Sequence, residues 1–368
     1  MVYYMKIFTN LSIVSFGLFA IVLFPGCMKL SNSLNKDVSL LPLLSSTAAS
    51  TGRFLVFTNT NVLFESTSPG SWTRVTFTGP ASLSRVAALG SGALLGITGT
   101  DALVWKSTDN GRTWSSTATG LPANAVRLTA CGNGAVIGQS SSASGYKTYF
   151  STNGGQNWTV STTVFDVATT TLLDLGCTSG RFYAAMQTSP RFWRSSDGGN
   201  NWTGATTVPG FNADRIAALE GASDTIAYFY YATPESSLRS VDSGANFGAG
   251  AGFSALLGPT INFSTALSAI NGQFFAGFID SVSGQCKFVR SSDGATYTAG
   301  TAVACGTGFS LNAVAGSSTR MVYGGGNGTS SPLLLSATPD KPDLWTQENI
   351  SSVSTGTNNI RAIVFLPN

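Results

Sequence analysis

The sequence Ser-Thr-Asp-Asn-Gly-Arg-Thr-Trp at residues 107–114 decides the fold, because closely related stretches recur along the chain. Three further copies keep the pattern Ser-x-Asp/Asn-x-Gly followed by an aromatic residue, a fourth at residues 291–297 is one residue shorter, and two degenerate copies flank the set. The leading serines lie 41 to 51 residues apart, and a repeat of this length is typical of a β-propeller or a solenoid. These serines are Ser66, Ser107, Ser151, Ser195, Ser240, Ser291 and Ser336.

Each copy contains the residues that close a tight turn between two strands, and is here called a repeat turn. The side-chain oxygen of its third residue can accept hydrogen bonds from the backbone N–H groups that follow. Its glycine tolerates a positive φ, and its aromatic ring can fold back over the hairpin and bury a large apolar face. We therefore predict a structural role in these turns for Asp109, Asn153, Asp197, Asp242 and Asp293.

This motif resembles the Asp-box, or BNR repeat, and the resemblance extends over all seven units. Proteins with this repeat include sialidases, sortilin-type receptors and photosystem assembly factors, and in all of them the box is structural. The resemblance therefore implies an all-β propeller, and it leaves the ligand open.

The domain formed by residues 51–368 has a length that suits seven blades, since 318 residues divided by seven is about 45 per unit. Short apolar runs separated by Gly, Ser, Asn and Asp indicate strands and turns. The stretch at 52–57 leads to a repeat turn without a first strand before it, whereas the stretch at 359–365 looks like a first strand without a turn after it. We predict a seven-bladed propeller of four-stranded antiparallel blades, in which the N- and C-terminal strands close one blade.

Residues 1–26 are typical of a signal peptide, because Lys6 precedes an apolar run over residues 7–24. Gly26-Cys27 follows, which resembles the lipobox of bacterial lipoproteins and implies lipidation of Cys27. The alternatives are a secretory peptide cut elsewhere and an uncleaved anchor. Residues 27–50 then form a tether, and the expected location is the outer membrane of the bacterial cell envelope, on either its periplasmic or its surface face.

The other four cysteines are an even number in a chain expected to be exported, which permits two disulfides. Cys131 and Cys177 occupy the same place in successive units, while Cys286 and Cys305 flank one repeat turn. The alternative is four buried thiols. The chain has no histidine and no Cys-x-x-Cys pair, so we expect no metal site and no cofactor.

The charge composition also limits the function. Twenty basic and 17 acidic residues give a net charge of +3, without a basic stripe, which argues against nucleic acid as a partner. The absence of histidine excludes Ser-His-Asp and Cys-His catalysis.

Several units begin their first strand with an arginine, 22 to 25 residues before the repeat turn. The first strand of a propeller blade is innermost, so these guanidiniums are predicted to converge at a mouth of the central channel and to bind a carboxylate, a phosphate or an acidic peptide. The alternative is that they are solvated, or pair with neighbours such as Asp214. The arginines are Arg85, Arg127, Arg215 and Arg361, and the other units have residues such as Leu173 and Asn312 there.

Three functions remain open. The favoured one is a monomeric, non-catalytic binding module for a protein or glycan, attached to the membrane by its lipid. The second is an exo-sialidase-like glycoside hydrolase, whose resemblance implies three arginines, a Tyr–Glu pair and an Asp. Arg53 lacks the expected Arg-Ile-Pro context, and no glutamate lies in a recognisable one; the candidates are Glu65, Glu220, Glu235 and Glu348. The third is an assembly or scaffold factor for a membrane complex.

Overall fold

The structure is a computed structural model. It describes residues 52–116, 121, 125–139, 146–165, 172–178, 180–186, 192–205, 212–218, 225–231, 236–270, 272–326, 333–338, 341–348, 350 and 359–368. Within these ranges only the backbone is described at 212–218, 228–231, 236, 250–252, 254, 262–266, 333 and 342–343. The predicted signal peptide, the tether and Cys27 lie outside the described residues.

The described residues form seven antiparallel sheets, which are the blades of the propeller. Blade 1 contains β1 (Gly52–Thr58), β2 (Val62–Ser68) and β3 (Ser71–Thr76). Blade 2 contains β4 (Arg85–Ala88), β5 (Leu94–Ile97), β6 (Trp105–Ser107) and β7 (Ser115–Ser116). Blade 3 contains β8 (Ala125–Cys131), β9 (Gly134–Gln139), β10 (Thr148–Ser151) and β11 (Thr159–Val160). Blade 4 contains β12 (Leu172–Thr178), β13 (Arg181–Met186), β14 (Phe192–Ser195) and β15 (Thr203–Gly204).

The remaining blades follow the same order from the inner to the outer strand. Blade 5 contains β16 (Asn212–Ala218), β17 (Ile226–Tyr231), β18 (Ser236–Ser240) and β19 (Gly248–Gly252), and a one-turn helix, α1 (Ser254–Leu257), follows it. Blade 6 contains β20 (Ile261–Ile270), β21 (Gln273–Asp280), β22 (Gln285–Ser291), β23 (Thr298–Ala299) and β24 (Val303–Ala304). Blade 7 contains β25 (Ser310–Gly316), β26 (Met321–Gly326), β27 (Leu333–Thr338) and β28 (Lys341–Gln347), and the last strand, β29 (Ile360–Pro367), returns to blade 1.

The two ends of the propeller meet in one sheet. β29 pairs antiparallel with β1, from Gly52 opposite Pro367 to Thr58 opposite Ile360. The innermost strands β29, β4, β8, β12, β16, β20 and β25 contact one another in a closed ring. The predicted seven-bladed architecture and its closure by the terminal strands are therefore confirmed.

The hydrophobic core lies between adjacent blades. Trp114, from the repeat turn of blade 2, packs edge-on against Phe57 of blade 1 with ring centroids 5.8 Å apart. Val364 of β29 belongs to the same buried cluster. Trp202 of blade 4 similarly packs on Phe165, which follows blade 3, at 5.5 Å. The turn aromatics thus join neighbouring blades as well as covering their own hairpins.

The hydrogen bonds of the repeat turn explain its residue pattern. Ser107 Oγ donates to Asp109 Oδ1 at 2.8 Å and accepts the Gly111 N–H at 2.8 Å. Asp109 Oδ1 also accepts the Thr113 N–H at 2.9 Å, and Trp114 Nε1 donates to the Gly111 carbonyl at 2.9 Å. Gly111 has φ +80°, a conformation that other residues resist. The serine-to-acceptor bond recurs, at 2.7–2.9 Å, at Asn153, Asp197, Asp242 and Asp293.

These bonds stabilise the ionised carboxylates. At Asp242, burial raises the pKa, but hydrogen bonds from the backbone and the side chain of Asn246, and from Ser240, outweigh it and lower the pKa to about 2. The pKa values of Asp109, Asp197 and Asp293 are also lowered. The turns are therefore formed with charged carboxylates at neutral pH.

This shift predicts a dependence of stability on pH. Because the pKa of Asp242 lies below its ordinary value of 3.8, the folded state binds fewer protons than the unfolded state between about pH 4 and pH 2. The contribution is complete above that window and is lost as the pH falls through it. Urea unfolding at about pH 7, 4 and 3 should show this loss, and Asp242→Asn should reduce it. Identical pH profiles for the two proteins would contradict this assignment; Asn153 shows that an amide fits the turn.

A buried ion pair contacts the leading serine of the degenerate turn in blade 7. Glu348 Oε1 lies 2.8 Å from Arg320 Nη2 and accepts a hydrogen bond from Ser336 Oγ. Glu348 Oε2 accepts the Gly70 N–H at 2.6 Å and Trp72 Nε1 at 3.2 Å, both from blade 1. Glu348 therefore joins blade 7 to blade 1.

Arg320 completes this contact between the two blades. Its Nη1 donates to Ser66 Oγ at 2.8 Å, and its guanidinium lies 5.1 Å from the ring centroids of both Phe54 and Trp72. Arg320 is only 6% exposed and Glu348 5%. The leading serines of both degenerate turns, Ser66 and Ser336, thus belong to one buried network, here called the blade 7–1 network.

Two disulfides are present. Cys131–Cys177 links the inner strands of blades 3 and 4, with Cα atoms 5.9 Å apart. Cys286–Cys305 lies within blade 6, where the Cα atoms are 5.7 Å apart. The structure thus contains the two predicted pairs in place of four thiols.

Candidate ligand site at the channel mouth

Three of the four arginines predicted to converge do share one backbone register. Arg85 lies opposite Ile97, Arg127 opposite Gly138 and Arg215 opposite Phe229. In each of these blades the second strand pairs with both the arginine and the leading serine. The residue opposite the arginine lies three positions after the residue opposite the serine. The backbone of Arg215 therefore has the predicted place, while its side chain lies outside the described part of the structure.

The prediction was wrong about three other blades, because β-bulges shift the register; in blade 7 Asn312 lies in the bulge and Leu311 has the equivalent position. In blade 4 the equivalent residue is Asp174, opposite Ala185, and Leu173 lies in the bulge before it. In blade 1 Arg361 itself lies in the bulge, and Ala362 takes the equivalent position opposite Phe57. A bulge inserts one residue into one strand, so counting residues back from the turn misplaces side chains by one position.

Arg85 and Arg361 nevertheless line one cavity. It has a volume of about 170 Å³ and is also lined by Asp174 and Asn312. These residues come from the innermost strands of blades 1, 2, 4 and 7, so the cavity lies at the central channel. Arg361 is exposed, and Asn312 Nδ2 donates to the Ile360 carbonyl at 3.1 Å, which fixes the bulge beside it.

Arg127 is directed to the neighbouring blade. Its Nε donates to the Leu173 carbonyl at 2.5 Å, and its Nη1 donates to the Val126 carbonyl at 3.0 Å. Its guanidinium also lies 3.8 Å from Asp174 Oδ1. Arg127 therefore follows the alternative stated above, in which the arginine pairs with neighbouring residues.

The channel cavity can accept one small anionic group. Two guanidiniums and one carboxylate line it, and its other residues include Val86, Leu267 and Val314. Guanidinium groups bind carboxylates and phosphates through paired hydrogen bonds, and apolar surroundings strengthen such charge interactions. A carboxylate or a phosphate fits both its charge and its size.

The described glutamates are engaged elsewhere. Glu65 accepts hydrogen bonds from Arg53 Nη1 at 2.5 Å and from Arg112 Nη2 at 2.6 Å, and Glu348 belongs to the blade 7–1 network. Glu220 and Glu235 lie outside the described residues. Among the residues that line the channel cavity, Asp174 is the one with a carboxylate.

The described residues contain no group of three or more Cys, Asp or Glu side chains placed to hold a metal ion. No helix in these ranges has the length and apolar character needed to cross a membrane.

The ring of inner strands defines the class of protein, a seven-bladed β-propeller. No known family's sequence profile matches the chain, and no curated protein matches it significantly. Its fold is similar to that of YCF48 from Cyanidioschyzon merolae, with 17% identity, a TM-score of 0.51, and coverage of 74% of this chain and 92% of that one. YCF48 bound to D1 peptide is similar at 13% identity and a TM-score of 0.51, covering 76% and 91% of the two chains.

A glycoside hydrolase also has a similar fold. The GH74 xyloglucanase from Xanthomonas campestris is 14% identical, with a TM-score of 0.51, and the match covers 87% of this chain and 55% of the enzyme. At these identities the similarities establish the fold alone.

Proposed function

We propose that this chain is a lipid-anchored envelope protein that binds a protein partner, without catalysis, by accepting a peptide carboxylate between Arg85 and Arg361. The observation that carries the proposal is the convergence of these two arginines on the 170 Å³ channel cavity. Arg127 is held by Leu173 and Asp174, whereas Arg361 is exposed and Arg85, whose Nη1 donates to the Ser84 carbonyl at 2.9 Å, lines the cavity with it. The net charge of the cavity lining is positive, which favours an acidic ligand.

A peptide ligand is favoured over a glycan at this cavity. YCF48, which has a similar fold, has been solved with a peptide bound. The cavity is also small, and 170 Å³ has room for a terminal carboxylate or one acidic side chain rather than for a saccharide chain. A role as assembly or scaffold factor for a membrane complex would be a particular case of this binding function.

The glycoside hydrolase alternative has less support. Most such enzymes use two carboxyl groups on either side of the scissile bond. The channel cavity has Asp174 alone among its described lining residues, and Asp174 lies beside Arg127. A sialidase-like enzyme would instead need a Tyr–Glu pair beside its Asp, and the residues that line this cavity include neither a Tyr nor a Glu.

The envelope location rests on two features. The lipobox-like sequence before Cys27 would provide the anchor, with residues 1–26 removed and residues 27–50 as the tether. The two disulfides fit an oxidising compartment outside the cytoplasm. Metabolic labelling with a palmitate analogue should mark the wild-type protein and leave Cys27→Ser unlabelled; label on both would refute the anchor.

The binding proposal is tested with the full chain and a random peptide library made with free and with amidated C-termini. We expect the wild-type protein to enrich peptides with a free carboxylate or acidic side chains, and Arg85→Gln/Arg361→Gln to lose this enrichment. Arg74→Gln, an exposed arginine of β3, is the matched control and should behave as wild type. Equal enrichment by the double variant, or none by the wild type, would refute the proposal.

A further inference from the structure

A second cavity lies away from the channel, between the repeat turns of blades 4 and 5. Its volume is about 470 Å³, within the range of small-molecule sites, whereas the channel cavity is smaller. Every residue that lines it is polar or charged. They include Arg181, Arg194, Ser196, Asn201, Thr203 and Ser243, together with the carboxylates of the two turns. We call this cavity the inter-turn groove.

The groove is held rigidly on both sides. Arg194, from β14 of blade 4, donates through Nη1 to the carbonyls of Asp242 and Ser243 in blade 5, at 3.2 and 3.4 Å. Arg181 Nη1 donates to Ser243 Oγ at 2.6 Å. Asp197 and Asp242 are each fixed by the hydrogen bonds of their own turn. Hydrogen-bonding groups held in this way lose little conformational freedom when a ligand binds.

The lining chemistry indicates a neutral ligand rich in hydroxyl groups. Two guanidiniums are balanced by the carboxylates of Asp197 and Asp242, so the groove has no net charge to attract a phosphate or a sulfate. It also lacks apolar side chains with which to hold a hydrophobic peptide. Both donors and acceptors line it, and a hydroxyl group can donate and accept at the same time. A saccharide satisfies both requirements.

A smaller version of the groove recurs in blade 6. That cavity, of about 230 Å³, is lined by Arg290, Ser292, Asp293 and Thr298 among others. Arg290 directly precedes the leading serine of its turn and pairs with Thr298, just as Arg194 precedes Ser195 and pairs with Thr203.

The other blades vary at these positions. Blade 2 has Lys106 in place of the arginine, and its Nζ donates to the Gly154 carbonyl of the next turn at 2.8 Å. Blade 3 has Phe150 there, and blade 5 has Val241 in place of the following serine. Among the described cavities, those of blades 4 and 6 therefore share three features: an arginine before the leading serine, a serine after it, and a threonine opposite the arginine.

We propose that the inter-turn groove is a binding site for a neutral saccharide. The related cavity of blade 6 is a second, weaker contact for the same saccharide molecule. Repeats of a propeller are related by rotation, so both cavities open on the face where the repeat turns lie. A polymer that reaches both would bind more tightly than a short oligomer, because the second contact becomes intramolecular. This site is separate from the proposed peptide site in the channel.

The test uses the full chain in detergent, with cellohexaose, laminarihexaose and mannohexaose as neutral probes and dextran sulfate as the charged one. Calorimetric titration should show binding of at least one neutral hexaose. Arg194→Met should weaken it by about tenfold or more, the loss of a charge-assisted hydrogen bond. Lys106→Met is the matched control, because it removes the equivalent bond between blades where no such groove is described, and it should leave binding unchanged.

Three results would overturn the proposal. They are the absence of binding to all three hexaoses, equal binding by Arg194→Met, and binding of dextran sulfate alone. Melting curves identify a variant that fails to fold, and Arg181→Met then provides a second test of the same groove. Arg85→Gln/Arg361→Gln should keep its saccharide binding, so the failure of the channel site and the failure of this site can be told apart.

Discussion

Replacing Glu348 by alanine is expected to lower the free energy of unfolding by about 3–5 kcal/mol, a large part of a typical stability of about 5–15 kcal/mol. The change leaves Arg320 buried without its counter-ion, since Arg320 is 6% exposed. It also removes the acceptor of the Gly70 and Trp72 N–H groups, which lie in the next blade. Chemical denaturation followed by fluorescence measures the effect.

Two variants make this prediction specific. Glu65→Ala also removes ion pairs, but Arg53 and Arg112 have side chains that are 29% and 43% exposed, so the expected loss is about 1 kcal/mol or less. Glu348→Ala/Arg320→Met removes both buried charges and should be more stable than Glu348→Ala alone. A loss below about 1 kcal/mol for Glu348→Ala would show that the blade 7–1 network contributes little to closure.

Deleting residues 359–368 is expected to abolish cooperative folding of the whole propeller. The deletion removes β29, the inner strand of blade 1, and exposes its neighbours on both sides of the ring. Ile360, Ile363, Val364 and Leu366 are each less than 9% exposed. At about 1.5–3 kcal/mol for each buried aliphatic side chain, their loss amounts to roughly 6–12 kcal/mol, which is comparable to the total stability.

Differential scanning calorimetry on the truncated and the complete chains checks this expectation. Removal of Asn368 alone is the control, because that residue is exposed and lies beyond β29. The control should melt as the complete chain does. A truncated protein with the same melting temperature would mean that the ring does not depend on its last strand.

The fold could be predicted because its signal is local and repeated. A turn such as that of Asp109 is closed by hydrogen bonds within eight residues, so its pattern is visible in the sequence. The blade count and the closure followed from the spacing of these turns and from the unmatched strands at the two ends. The cysteine pairs followed from equivalent positions in neighbouring units and within one unit.

The candidate sites were less accessible to sequence reasoning, because they depend on register and on contacts between blades. One-residue bulges move Arg361 away from the position of Arg85 and put Asp174 there, and no residue type marks them clearly. Glu348 had no recognisable context, since two of its partners, Gly70 and Trp72, are in blade 1, more than 270 residues away. The one signal for the inter-turn groove was the combination of an arginine before and a second serine after the leading serine in blades 4 and 6.

The affinity of a selected acidic peptide for four proteins tests the central proposal most directly: wild type, Arg85→Gln, Arg361→Gln and Asp174→Asn. Loss of one charge-assisted hydrogen bond of about 1.5–3 kcal/mol should weaken binding at least tenfold in each arginine variant. Asp174→Asn removes the carboxylate that faces the ligand, so it should strengthen binding, by roughly fivefold for about 1 kcal/mol of relieved repulsion. Opposite signs for the arginine and aspartate variants are the predicted result. Weaker binding by Asp174→Asn, or unchanged binding by both arginine variants, would contradict a carboxylate site at the channel mouth.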